Sequence, residues 1–321
     1  PYDGGNAEVA AIYINRMDLN LVRRMYATKT ATDNIAFVVC NHPGPDGSSQ
    51  REVDDVLDTG LADQKRVACV AMEWSTSPGV NGGKPFTKFL TFGPDGSLLP
   101  SVNLDGRGEK YMPGACVACH GGTQYNGQFA ARGIAPSPYL GAGFLPFDTG
   151  NYLFGSGSGL SEAAQSQAIH DLNMLVKATD NRGYPATTGL IDGWYTGTAT
   201  TLNKQYVPAA WTALEASKPG AAKFYREVVG GVCRTCHIAL GSAQFDWDVK
   251  TGTFSGLPGS LANAHFCGGT ADVAINASMP NALISRDRLA DRIGADPELA
   301  ALMQQFLGCV TPAADPAYAK R

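Results

Sequence analysis

Charged residues are scarce in this chain: Asp, Glu, Lys and Arg make up only 17% of its 321 residues, against roughly a quarter in an ordinary globular protein. Neither sign dominates, with 25 Lys and Arg against 29 Asp and Glu. Without a basic excess or stripe, a dedicated nucleic-acid binder is set aside. Hydrophobic residues at 44% exclude disorder as the main state, because disordered chains lack apolar residues and carry many charges. No apolar run approaches the roughly 18 residues a bilayer needs, so no membrane span is expected. A dinucleotide fingerprint is also missing, since Gly155-Ser156-Gly157-Ser158-Gly159 lacks the flanking strand and helix and the right spacing. Histidine numbers five and cysteine eight. That is too little cysteine for a disulfide-dense mini-scaffold.

Those few residues are not scattered at random. Four of the cysteines form two Cys-x-x-Cys pairs, each followed directly by histidine: Cys116-Val117-Ala118-Cys119-His120 and Cys233-Arg234-Thr235-Cys236-His237. This is the pattern of covalent c-type haem attachment. Two thiols on one short turn of backbone reach the two vinyl groups of one porphyrin, and the next histidine projects beneath the ring to ligate iron. A four-cysteine zinc site would use both pairs but leaves the two histidines unexplained. A thioredoxin-like redox site needs one such motif in a βαβ setting, which the flanking residues do not supply. The expectation is two covalently bound haem c groups, with Cys116, Cys119, Cys233 and Cys236 as attachment residues and His120 and His237 as proximal ligands.

Attachment of that kind implies maturation on the oxidising side of the membrane, hence a periplasmic or secreted protein, and a start at Pro1 would fit a removed signal peptide. In that compartment the four isolated cysteines can form disulfides, most simply the local pairs Cys40–Cys69 and Cys267–Cys309. Buried thiols are the alternative.

The second motif has a recognisable setting. Gly220–Val229 places Ala221, Phe224, Tyr225 and Val228 at a helical period. Met279-Pro280 follows the motif, and then a final helix with Asp296 as N-cap, Pro297 at its first position, a stripe of Leu299, Leu302, Met303 and Phe306, and Gly308 as its stop. This order, over about residues 205–321, resembles the small class I cytochromes c. The resemblance implies an all-α domain in which His237 is the proximal and Met279 the distal iron ligand. A core role for Met279, or His265 as the ligand instead, remains open. The basic run Arg286–Arg292 reads as a solvated helix face.

The first half differs. Ile35–Cys40, Arg66–Trp74 and Phe86–Phe92 are strand-like, and Pro94-Asp95-Gly96 reads as a hairpin turn. A Gly-rich loop, not a helix, leads into Cys116. Leu160–Thr179 is an amphipathic helix, with His170 and Met174 together on the face opposite its apolar stripe, turned either to solvent or to a haem. Five segments resemble an uncharacterised group of bacterial dihaem proteins: Val70–Trp74, Asn103–Gly108, Cys116–Gly122, Leu190–Tyr195 and Met279–Ala282. In that group a Met-His-Cys segment stands near the N-terminus. The matching stretch here is Arg24-Met25-Tyr26-Ala27, so the resemblance offers Met25, or else Tyr26, as distal ligand of the first haem. A core role for Met25 is the plain alternative.

The expected architecture is an α+β N-terminal haem domain with a small antiparallel sheet (residues 1–200) and an all-α class I cytochrome c-like C-terminal domain (residues 201–321). The expected function is electron transfer between redox protein partners. The alternative is a dihaem enzyme, peroxidase- or oxygenase-like, with one open or weakly ligated haem.

Overall fold

Apolar residues in the first forty positions build the centre of the fold. In the computed structural model, which describes residues 8–122, 140–179, 186–240, 247–248, 251–256 and 282–309, strands β1 (Val9–Asn15), β2 (Leu21–Ala31) and β3 (Asn34–His42) form a meander. Helix α1 (Gln50–Leu61) follows, and β4 (Ala68–Ser75) and β5 (Phe86–Phe92) extend the sheet. Two-residue strands β6 (Ser101–Val102) and β7 (Lys110–Tyr111) pair with each other, and β8 (Tyr152–Leu153) closes the edge beside β1. The large sheet runs β5-β4-β3-β2-β1-β8, and every pairing in it is antiparallel. Because β8 covers β1 only at Ile14 and Asn15, the outer Ile12 N–H would lack a partner. It donates instead to Gln165 Oε1 at 2.7 Å, which satisfies a buried backbone group.

This sheet overturns the expected fold class. It has six strands where a small sheet was expected, and a sheet of that size is not compatible with a class I cytochrome c, which is all-helical. The physical reason lies in β1 and β2. Val9-Ala-Ala-Ile-Tyr-Ile14 is an almost unbroken apolar run, because the strand is covered on both faces. Ala11 and Tyr13 join the main core, while Ile12 and Ile14 join a second cluster under α1 with Val22, Val53, Leu57 and Leu160. A strand buried on both sides shows no alternation. Helix α1 was also unread, although Ser49 and Glu52 form a complete capping box at its start.

The face of the sheet away from α1 packs on α3 (Glu162–Thr179) and α4 (Ala186–Trp194), through Ile169, Leu172, Val176, Leu190, Ile191 and Trp194. The expected helix through 160–179 is thus present. Helices α5 (Ala209–Leu214) and α6 (Ala221–Phe224) open the second half. The expected helix 220–229 becomes a nine-residue π-helix, Tyr225–Cys233, after its first turn, running into α7 (Arg234–His237). Its apolar positions Ala221, Phe224, Tyr225 and Val228 are nonetheless all fully buried. The last helices are α8 (Leu283–Ala295) and α9 (Pro297–Leu307). Helix α9 has the expected ends: Asp296 accepts from the N–H groups of Glu298 and Leu299, and Gly308 caps it in the left-handed region at φ 80°.

A core of Trp211, Phe224, Phe254 and Phe306 joins these helices, with Phe224 stacked on Phe306 at 4.4 Å. Each such ring contributes about 1.5–3 kcal/mol by burial. Contacts cross residue 200 in both directions, since Met17 belongs to this second core, and Leu202 and Ile238 to the first. The basic run in α8 is a correction. Arg286 is buried, and Arg292 is ion-paired with Glu227 of the π-helix, so this face packs rather than facing solvent. Cys40 and Cys69 stand directly opposite on β3 and β4 and are joined by the expected disulfide. Cys309 is also disulfide-bonded; its expected partner, Cys267, lies outside the described residues. No helix among the described residues is long and apolar enough to cross a membrane.

Candidate cofactor site

The first motif forms its own short helix, α2 (Gly114–His120). Helical geometry puts residues three and four apart on one face, so Cys116, Cys119 and His120 share a side of α2. His120 is held by a reciprocal pair of bonds. Its Nδ1 lies 2.9 Å from the Gly143 carbonyl oxygen, and the Gly143 N–H donates back to the His120 carbonyl at 2.8 Å. A ring whose Nδ1–H is given to a carbonyl has its tautomer fixed with the lone pair on Nε2, the arrangement that orients a metal-binding histidine.

The segment carrying Gly143 is itself fixed at both ends. Thr87 Oγ1 donates to the Ala142 carbonyl at 2.8 Å. Beyond it, buried Asn173 of α3 accepts from the Phe147 N–H at 2.8 Å and donates to the Phe147 carbonyl at 3.0 Å. Phe89 of β5 lies against the His120 ring, with centroids 5.6 Å apart.

The second motif occupies the end of the π-helix and α7. Arg234, between its cysteines, is buried, bonded to the Tyr225 hydroxyl at 2.6 Å and ion-paired with Asp148 at 2.6 Å. Burial works against its charge, but Asp148 and Tyr225 more than compensate, and its pKa is raised. His237 stacks on Trp247 at 4.6 Å, and the Trp247 carbonyl accepts from Trp211 Nε1 at 2.6 Å.

None of the four motif cysteines is disulfide-bonded among the described residues. Burial pushes Cys116 and Cys233 up to about 12, and a bond with Cys119 together with burial raises Cys236. Such groups stay protonated at neutral pH. That disfavours a thiolate redox pair, which needs a depressed pKa. Among the described residues no three His, Cys, Asp or Glu side chains converge as a metal cluster, so the four thiols are not arranged as a zinc site.

A cavity of about 200 Å³ opens between the motifs and the sheet. Cys116, Cys119, His120 and Cys236 all line it. The sheet forms the apolar wall through Met25, Met72 and Phe89, residues that alternation along β2, β4 and β5 turns to the same face. Met112 also lines it, its Sδ 3.1 Å from Cys116 Sγ. At the polar end Arg23 pairs with Asp18 at 2.5 Å and Lys110 with Asp105 at 2.7 Å. Tyr13 and Tyr152 stack at 4.1 Å in the wall, and burial pushes Tyr13 up to about 12.

Among the sequence-derived candidates, Cys116, Cys119, His120, Cys236 and Met25 therefore come together at one cavity. Tyr26, the neighbour of Met25 on β2, points to the other face of the sheet, where the Arg24 guanidinium lies over its ring at 5.5 Å. His170 and Met174 do not line the cavity. His170 sits half-buried between Asp171 and the Tyr195 ring, and Met174 packs against the main core. Met279 and His265 lie outside the described residues. Sequence reasoning missed Met72, Met112 and the Tyr13–Tyr152 pair; for Met72 the alternation of β4 was the available signal.

No protein-family model, curated protein or solved structure matches the chain.

Proposed function

We propose that the protein is a dihaem c-type cytochrome that passes electrons between redox partner proteins in the periplasm or outside the cell. One observation carries this reading. A Cys-x-x-Cys-His helix turns both cysteines and its histidine to a largely apolar cavity, and the Nδ1 of that histidine is bonded to a backbone carbonyl. The donor set fits the group: two thiols for thioether bonds, an imidazole of fixed tautomer for iron, and a wall of thioether and aromatic side chains for a porphyrin face. Cys116 and Cys119 would hold one haem and Cys233 and Cys236 the other, with His120 and His237 as proximal ligands. Met25 of the sheet wall would be the candidate distal ligand of the first haem; Met279, the sequence candidate for the second, lies outside the described residues.

Each haem supplies a one-electron ferric–ferrous couple when bound. The chain sets its properties. The Gly143 carbonyl raises the basicity of His120 by accepting its Nδ1–H. Met25, Met72 and Phe89 keep water from the cavity wall. The Cys40–Cys69 disulfide supports an oxidising compartment.

The test is haem stoichiometry in protein matured with its export and attachment machinery. Pyridine haemochrome spectra and intact mass should give two covalently bound haems per chain. Any other number refutes the reading.

A further inference from the structure

The two motifs, distant in sequence, touch in the fold. Gly121, directly after His120, adopts φ +68°, and a Cβ there would lie 2.2 Å from the Ala239 carbonyl oxygen and 2.8 Å from Leu240 Cα. Only glycine permits that approach of backbone to backbone. Helix α2 packs against α7, and Cys119 and Cys236 line the same cavity. Two links clamp the arrangement from the first half of the chain: Asn151 Nδ2 donates to the Gly230 carbonyl at 3.0 Å, and Asp148 pairs with Arg234 at 2.6 Å.

We infer that Cys119 and Cys236 hold the two haems edge to edge, making the protein one coupled two-electron unit rather than two independent one-electron carriers. This rests on the proposed function. A thioether sulfur lies a single carbon from its porphyrin, so two attachment cysteines lining one cavity would bring the two ring edges close together. Electron exchange between them would turn one ferrous iron ferric as the other ferric iron becomes ferrous. No bond forms or breaks and no proton moves. In a site of low polarity a nearby charge acts strongly, so oxidation of one haem makes the second electron harder to remove.

Electron paramagnetic resonance of the fully oxidised holoprotein provides the test, alongside spectroelectrochemical titration. The expected spectrum is broadened by interaction between the two ferric irons and sharpens to an ordinary single-haem signal when the protein is half reduced. The titration should show two separated one-electron steps. In the single-haem variant Cys233→Ala/Cys236→Ala the remaining haem should titrate at a shifted potential. If that variant does not fold, the wild-type spectra decide alone. Two sharp ferric signals, each independent of the other's oxidation state, would overturn the inference. A haem count other than two refutes the underlying function instead, so the two failures are distinguishable.

Discussion

Arg234 lies between the two cysteines of the second motif, and its guanidinium donates to the Asp148 carboxylate at 2.6 Å. Asp148 belongs to the segment that lines the first motif's cavity. One buried ion pair thus ties the second Cys-x-x-Cys-His helix to the frame of the first. The Trp194 ring lies 5.2 Å from the same guanidinium, the Tyr225 ring 5.4 Å, so the charge is met on several sides.

Removing one partner of such a pair leaves the other charged and buried. Arg234→Met should therefore destabilise the protein by about 3–5 kcal/mol, read as a lowered midpoint in denaturant unfolding. Arg234→Lys should recover only part of this, because an ammonium cannot reproduce the planar fork or its stacking. A Met variant as stable as wild type would show that the pair contributes nothing net.

The Cys40–Cys69 bond closes a sequence separation of 29 residues. By loop-closure entropy the double variant Cys40→Ser/Cys69→Ser should lose about 3.5 kcal/mol. Haem content should stay the same, since neither residue lines the cavity. Unfolding curves that respond equally to reductant in wild type and variant would contradict this.

His42 is fully buried, with Nδ1 2.7 Å from the Gln64 carbonyl. Burial lowers its pKa. The unfolded ring titrates near about 6.5, so the neutral ring's contribution to stability is complete above that pH. It is lost as pH falls from there through the lower folded value. Between pH 8 and pH 5.5 the wild type should lose more stability than His42→Gln, measured by chemical denaturation at each pH. Equal losses would refute the assignment.

Met25 is buried in the sheet wall of the cavity. A thioether ligand raises a haem potential, so Met25→Leu should lower the midpoint of one haem, and Met279→Ala that of the other. Met72→Leu and Met112→Leu should leave both midpoints in place. If Met72→Leu or Met112→Leu produces the drop instead, that residue is the distal ligand. Carbon monoxide should leave the wild-type spectrum unchanged and bind the Met25 variant. Rapid reaction of wild-type protein with peroxide would favour the enzyme alternative.

Much of the local structure was legible residue by residue. The ends of α9 followed from Asp296, Pro297 and Gly308, because capping is a matter of a few neighbouring backbone groups. Strand β5 ran over the expected Phe86–Phe92. Strand β1 was not legible, since burial on both faces erased its alternation. The π-helix before Cys233 was hidden because its apolar spacing also satisfies an ordinary helix; the same residues are buried with Trp211, Leu289 and Ile293 in one core.

The Cys-x-x-Cys-His arrangement belongs to the sequence alone, because thiols and imidazole within five consecutive residues share one turn of backbone whatever surrounds them. The Cys40–Cys69 bond was nearly as local, needing only two neighbouring strands. The tertiary structure decided the rest. It set the number of strands, the wall that brings Met25 and Met72 to one cavity, the burial of Arg286, and above all the meeting of Cys119 with Cys236. Those relationships join residues far apart in the chain, and their distances depend on how sheet and helices pack, which no short stretch of sequence encodes.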